Sequence, residues 1–253
     1  MIKSDISNYV KTCVADYESF VGIEKLPAFT VKSKEMTLEK SQQQGFDAPA
    51  TVFYDIPTGG HTLEIWSKLS LPKMDAEYLV FHEFTHILDA ETYSQKNKVK
   101  HMSNKGYTEY HAAQIDFMKV LGANNIVESF SFDMEQKVET FGGIKTAEEF
   151  VKMPLNLAIE LISRDDFPAN IETLATAIGA IFNYYGRRSI CKMYAKEYND
   201  SLDTSVIAGF LGADTVKALD GFMLGWFNAG KVSLIDTLYG KMIISLVQRN
   251  NLG

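Results

Sequence analysis

The pattern of apolar residues changes character between residues 122 and 145 of this 253-residue chain. Before this segment, amphipathic helical stretches alternate with short β-like runs, whereas after it apolar residues recur at helical spacing. The sequence therefore predicts an α+β unit over residues 1–125, followed by an all-helical unit over residues 126–253. One apolar stripe of the second unit consists of Ile171, Leu174, Ala175, Ile178, Ile181, Phe182 and Tyr185.

The first unit contains helices and strands in a definite order. Residues 3–21 have the spacing of an amphipathic helix, which Gly22 ends. Helices near residues 72–91 and 107–121 come later, and the polar, lysine-rich segment 94–106 between them is predicted to be a loop. Three runs rich in β-branched and aromatic residues favour a small antiparallel or mixed sheet. They lie at residues 29–32, 51–54 and 62–67.

Composition argues against several classes of function. The net charge of −7 disfavours binding to nucleic acid or to an anionic membrane surface. Cys13 and Cys191 are the only cysteines and lie far apart, so we predict neither a disulfide framework nor a cysteine metal site. No stretch reaches about 18 uncharged apolar residues, and the N-terminus lacks the apolar core of a secretory signal. We therefore expect a cytoplasmic protein with no nucleic-acid or membrane partner.

Residues 82–86 read His-Glu-Phe-Thr-His within a segment of helical character. Positions four residues apart lie on one face of a helix, so His82 and His86 can present ring nitrogens to the same ion. Glu83 lies beside them and can reach a metal-bound water without being a ligand itself. This H-E-x-x-H pattern is typical of zinc bound by two imidazoles, with the glutamate as general base.

A catalytic zinc ion usually has three protein ligands and one open position. The metzincin pattern would require glycine and histidine where this chain has Asp89 and Thr92, so that class is excluded. We expect Glu109, at the start of the next helix, to be the third ligand. It shares a helical face with Ala112, Ala113 and Asp116, and the two alanines would allow close helix packing. The competing ligands are His111, His101, Asp89 and Glu91, of which Asp89 is better suited to orient an imidazole.

The H-E-x-x-H motif followed by Glu109-Tyr-His-Ala-Ala resembles the gluzincin group of zinc metallopeptidases. Within that group it is most similar to the small cytosolic ImmA/IrrE-like proteins, over roughly residues 1–122. The resemblance implies a zincin-like unit that contains a small sheet, the motif helix and a glutamate-bearing helix. It implies Zn²⁺ as the cofactor, His82, His86 and Glu109 as its ligands, and Glu83 as the general base.

The resemblance also implies how a peptide or protein substrate is bound and cut. The strand just before the motif helix, here residues 62–67, would be a sheet edge that pairs with an extended peptide. A zinc-bound water would attack the scissile carbonyl while Glu83 transfers a proton to the leaving amine. The developing oxyanion needs a second donor, for which the sequence leaves open Tyr107, Tyr110, His111 and His61.

Two rival functions remain at this point. The chain can be a catalytically silent zinc-binding protein with a regulatory or interaction role, or a helical scaffold in which the motif is accidental. The helical half can wall the cleft or bind a protein partner. Arg187 and Arg188 could bind phosphate, but a pair on a helix surface is the favoured interpretation. A basic run can select acidic substrates or be merely a solvated loop; it consists of Lys96, Lys98, Lys100, His101 and Lys105.

Overall fold

The protein is described here from a computed structural model. The described residues are 2–35, 48–70, 76–199, 204–222, 224–226 and 228–250. The predicted start of the second helix near residues 72–75 lies outside them. The elements of the first half are α1 (Ile2–Val21), β1 (Phe29–Lys34), β2 (Ala50–Asp55), β3 (Gly60–Trp66), α2 (Glu77–Asp89), α3 (Lys98–Ser103) and α4 (Lys105–Val120).

The second half continues with more helices and one hairpin, so the protein is mixed α+β with helices predominating. The expectation that residues 126–253 are entirely helical is wrong, because two short antiparallel strands pair within them. The elements are β4 (Lys137–Thr140), β5 (Gly143–Thr146), α5 (Ala147–Ile162), α6 (Ile171–Tyr194), α7 (Ser205–Leu211), α8 (Ala213–Phe222) and α9 (Ala229–Arg249).

Helix α1 packs against the buried face of the motif helix α2. It ends as predicted at Gly22, whose φ of +73° suits glycine. The ring of Tyr17 packs edge-on against Phe81 and Phe84, with centroid distances of 5.2 and 5.5 Å. Its hydroxyl shares a hydrogen bond of 3.1 Å with Oγ1 of Thr85. These fully buried contacts fix which face of α2 turns away from the core.

The three predicted strands form a mixed sheet, but in an order that changes which strand is the edge. The order is β1-β3-β2, with β1 parallel and β2 antiparallel to β3. The expectation that residues 62–67 form a peptide-binding edge is therefore wrong, since β3 is paired on both sides. The edge that contacts α2 is β2, and β3 instead turns buried Leu63 and Ile65 toward the core.

The segment 94–106, predicted to be a loop, contains a short helix. Helix α3 begins after Asn97, whose side chain accepts a hydrogen bond of 3.1 Å from the backbone N–H of Lys100. None of its residues is buried, and Val99 is 76% exposed. A helix without a buried face has no apolar periodicity, so hydrophobic pattern could not reveal it.

Helices α4 and α6 pack closely because small residues meet at their contact. A Cβ on Gly186 of α6 would lie 2.3 Å from the carbonyl oxygen of Tyr110 and 2.8 Å from Cβ of Ala113. The buried apolar residues form one cluster that runs from Ile6 to Leu246 and includes both α4 and α6. Elements from both halves of the chain therefore share one core.

Within the described residues, no helix is long and apolar enough to cross a membrane.

Replacement of Gly186 should separate α4 from α6. We expect Gly186→Ala to lower the free energy of unfolding by about 1–3 kcal/mol, because the added methyl meets backbone that cannot yield. Gly240→Ala is the matched control, since a Cβ on this α9 residue would meet nothing within 4 Å. Urea unfolding followed by circular dichroism should show no loss of stability for the control. Equal effects of the two substitutions would contradict the close approach.

Candidate metal centre

The two motif histidines lie one turn apart on α2 and face a common carboxylate on α4. Nε2 of His82 is 3.4 Å from Oε2 of Glu109, and Nε2 of His86 is 3.7 Å from Oε1. Two ligand atoms bound to one tetrahedral zinc ion at about 2.0–2.1 Å would be about 3.3 Å apart. The donor set of two imidazole nitrogens and one carboxylate therefore has the chemistry and nearly the spacing that zinc requires.

Both imidazoles are held through their other nitrogen. Nδ1 of His82 is 3.0 Å from Oδ2 of Asp116, and Nδ1 of His86 is 2.8 Å from Oγ1 of Thr108. The Thr108 hydroxyl donates to Asp89, 2.8 Å away, so it can only accept from His86. These bonds place the proton of each neutral ring on Nδ1 and leave the Nε2 lone pair toward Glu109.

The carboxylate of Asp116 is itself fixed by a buried cation from α6. Arg187 donates from Nε to Oδ1 at 3.2 Å and from Nη2 to Oδ2 at 3.0 Å. Its third contact, from Nη1 to the carbonyl oxygen of Phe150, is 2.8 Å long. The prediction that Arg187 and Arg188 form a surface pair is wrong, because each is only 8% exposed. Helical spacing had indicated the place of Asp116, but nothing in the sequence indicated Arg187.

Helix α6 also surrounds the carboxylate of Glu109. The side chain of Asn183 hydrogen-bonds to it. One turn earlier, a Cβ on Gly179 would lie 3.7 Å from Cδ of Glu109, an ordinary van der Waals distance, so this part of α6 lies directly beside the carboxylate. Gly179, Asn183 and Arg187 are spaced four residues apart and therefore present one face of α6 to α4.

Glu83 also lies close to the two imidazoles. One ligand atom from each of His82, Glu83 and His86 falls within 4.8 Å of the others. Glu83 Oε2 accepts a hydrogen bond of 2.7 Å from the backbone N–H of Val52 on β2, whereas both oxygens of Glu109 face Nε2 atoms. Glu109 is therefore better placed as the third ligand, and Glu83 as a neighbouring base.

The buried groups influence one another's pKa values. Burial lowers the pKa of His82, but Asp116 and Glu109 outweigh it and raise that pKa to about 10. Burial prevails at His86 and lowers its pKa to about 4, and burial raises the pKa of Glu83 to about 7. The two imidazoles overcome burial at Glu109 and lower its pKa to about 2. The surroundings thus favour a positive charge between Glu109 and Asp116.

The competing ligands make their contacts elsewhere. Nδ1 of His111 lies 3.0 Å from Oδ1 of Asp89, so Asp89 orients that imidazole directly and reaches His86 only through Thr108. Nδ1 of His101 lies 3.4 Å from Oγ of Ser94. The Glu91 carboxylate lies 3.9 Å from Nε2 of His61.

The candidate oxyanion donors are also occupied by other contacts. The hydroxyl of Tyr107 donates to the carbonyl of Asn228 at 2.6 Å, and that of Tyr110 donates to the carbonyl of Gly225. His111 is held by Asp89, as described above. His61 is 3% exposed and its ring stacks on Tyr54 at 4.8 Å, while neither ring nitrogen has a hydrogen-bond partner among the described residues. The two tyrosine hydroxyls and the His111 ring therefore already have other partners among the described residues.

A cavity of about 310 Å³ opens beside the metal centre. His86 and Glu109 form part of its lining, together with edge strand β2 and the N-terminal turn of α4. A ligand in this cavity could therefore reach a metal ion held by the two imidazoles.

Comparison of the chain with protein-family models, with curated proteins and with solved structures found no significant match.

Loss of the buried cation should destabilise the protein strongly. We expect Arg187→Met to lower the free energy of unfolding by about 3–5 kcal/mol, because Asp116 is left buried without its partner. Lys196→Met is the control: its ion pair with Asp133 is exposed, with side chains 55% and 63% accessible, so a loss below about 1 kcal/mol is expected. Guanidinium unfolding measures both. A similar small loss in the two variants would show that Asp116 does not depend on Arg187.

Proposed function

We propose that the protein is a cytosolic zinc metallopeptidase with a zincin-like arrangement of β1–β3, α2 and α4. The observation that carries this proposal is the convergence of two Nε2 atoms on Glu109 while hydrogen bonds fix both Nδ1 atoms. A cytosolic location agrees with the two cysteines, which are buried free thiols. The adjoining cavity supplies the open side that a catalytic site needs and a purely structural zinc site lacks.

The residues around the metal centre divide the chemistry between them. His82, His86 and Glu109 would hold zinc, which when bound lowers the pKa of a coordinated water to about 7 and polarises a carbonyl group. Glu83 accepts the proton of the attacking water and delivers it to the amine that leaves, so it ends the reaction unchanged. The Val52 N–H holds one Glu83 oxygen in place, and the other oxygen remains for this proton.

We expect a peptide substrate to pair with the outer edge of β2, beyond the Val52 N–H that already donates to Glu83. The Val52 N–H points away from β3 toward Glu83, and by the alternation of an antiparallel pair the N–H and C=O of Tyr54 point the same way. An extended peptide that pairs with this edge would pass directly over Glu83 and the two imidazoles. This role belongs to β2 and not to the strand at residues 62–67.

Metal content gives the first test. The purified protein, reconstituted with zinc and dialysed, should contain about one zinc ion per chain by plasma mass spectrometry, because three ligands are already positioned. His86→Ala and Glu109→Ala should lose the ion, whereas Glu91→Gln, an exposed carboxylate on the turn after α2, should keep it. Equal zinc in all four proteins would contradict the proposed ligands.

Peptide hydrolysis gives the second test and separates an enzyme from a silent zinc protein. Glu83→Gln should retain zinc but lose about 10²–10⁴-fold in kcat, since the amide cannot accept a proton. The control Glu91→Gln, in the turn directly after the motif helix α2, should keep the wild-type rate. The readout is cleavage of a fluorogenic peptide library. A zinc-loaded wild type no faster than Glu83→Gln would leave only the zinc-binding role.

A further inference from the structure

The cavity beside the metal centre ends at the beginning of α4. Its lining includes His101, Asn104 and Lys105 from this part of the chain, and His86 and Glu109 from the metal centre. The 16-residue helix α4 directs the positive end of its dipole toward the first of these groups. One cavity thus joins the candidate metal centre to a set of groups suited to an anion.

The acidic groups that face the same cavity already have partners of their own. Asp89 accepts hydrogen bonds from Thr108 and His111. Glu109 faces the two motif imidazoles, as shown above. By contrast, no hydrogen bond or ion pair joins the ammonium group of Lys105 to any residue in the part of the chain that the structure describes. Lys105 is therefore a cation with which a ligand in this cavity can pair.

Asn104, which also lines the cavity, has an amide that is not fully hydrogen-bonded. The residue is only 6% exposed, and its Oδ1 is buried without a hydrogen-bond partner among the described residues. It occupies the N-cap position of α4 but makes no capping bond with its side chain. A half turn of the planar amide presents its NH₂ group instead. A buried polar group without a partner is costly, so a ligand that pairs with it is favoured.

We propose that this end of the cavity is a subsite for a carboxylate of the substrate, held by Lys105, the Asn104 amide and the first turn of α4. The inference rests on the proposed peptidase function and adds a preference for acidic substrates. The aromatic residues Tyr54, Tyr93 and Tyr107 also line the cavity and would pack against the carbon stem. The carboxylate can come from an acidic side chain or from the C-terminus of a peptide.

Binding without cleavage tests the subsite directly. The zinc-loaded Glu83→Gln variant is titrated with fluorescein-labelled peptides of ten residues. Two sets are amidated at the C-terminus: one carries a single Glu at each position in turn, and the other carries a single Gln at the same positions. A third set contains neither Glu nor Gln but ends in a free C-terminal carboxylate. Fluorescence anisotropy should show about tenfold tighter binding for Glu at one position, or for the free terminus, than for the matched neutral peptide.

Two further substitutions in the same background locate the preference. Lys105→Glu should abolish or reverse it, and Asn104→Ala should reduce it without loss of zinc. Lys98→Glu makes the same charge change on exposed α3, outside the cavity lining, and should leave the preference intact. Zinc content and thermal unfolding of each variant show whether it is folded and loaded.

The outcomes separate this inference from the proposed function. Hydrolysis by the wild type with equal binding of Glu and Gln peptides would overturn the subsite and leave the peptidase standing. A carboxylate preference that depends on Lys105, without any hydrolysis, would support the subsite and overturn the peptidase. A preference lost equally in Lys98→Glu and Lys105→Glu would reflect general surface charge and would overturn the subsite.

Discussion

The buried carboxylate of Asp116 connects the candidate metal centre to the rest of the fold. It accepts a hydrogen bond from His82 on one side and a two-pronged contact from Arg187 on the other. A buried carboxylate with so little solvent requires such partners, since an unpaired charge in the interior is strongly destabilising. The orientation of His82 on α2 therefore depends on α6, a helix of the second half that carries no part of the motif.

Helix α6 acts on α4 in several places along a single face. Gly186 allows the close approach, Asn183 hydrogen-bonds to Glu109, and Arg187 holds Asp116. The ligand face of α4 is thus enclosed between α2 and α6. The second half of the chain therefore takes a direct part in forming the site, because its helix α6 positions side chains of the metal centre. The single core that spans both halves agrees with this dependence.

Local pattern predicted much of the fold and part of the site. The spacing of His82 and His86, the neighbouring Glu83 and the choice of Glu109 all follow from helical periodicity, and the structure brings these side chains together. Pattern failed where no buried face exists, as in α3, and where pairing between distant segments decides the outcome. The sheet order is an example: three strands were identifiable, but only their pairing makes β2 the edge beside Glu83.

The sequence by itself determined the local elements, since spacing along one helix or strand sets which side chains share a face. It determined that two imidazoles and a carboxylate could reach one ion. Only the tertiary structure decided which groups fix those imidazoles, because Thr108, Asp116 and Arg187 approach them through the packing of three helices. The tertiary structure also decided where Arg187 lies. The sequence pattern assigns this side chain to the surface, but it is buried because it pairs with the carboxylate of Asp116, which is distant in sequence.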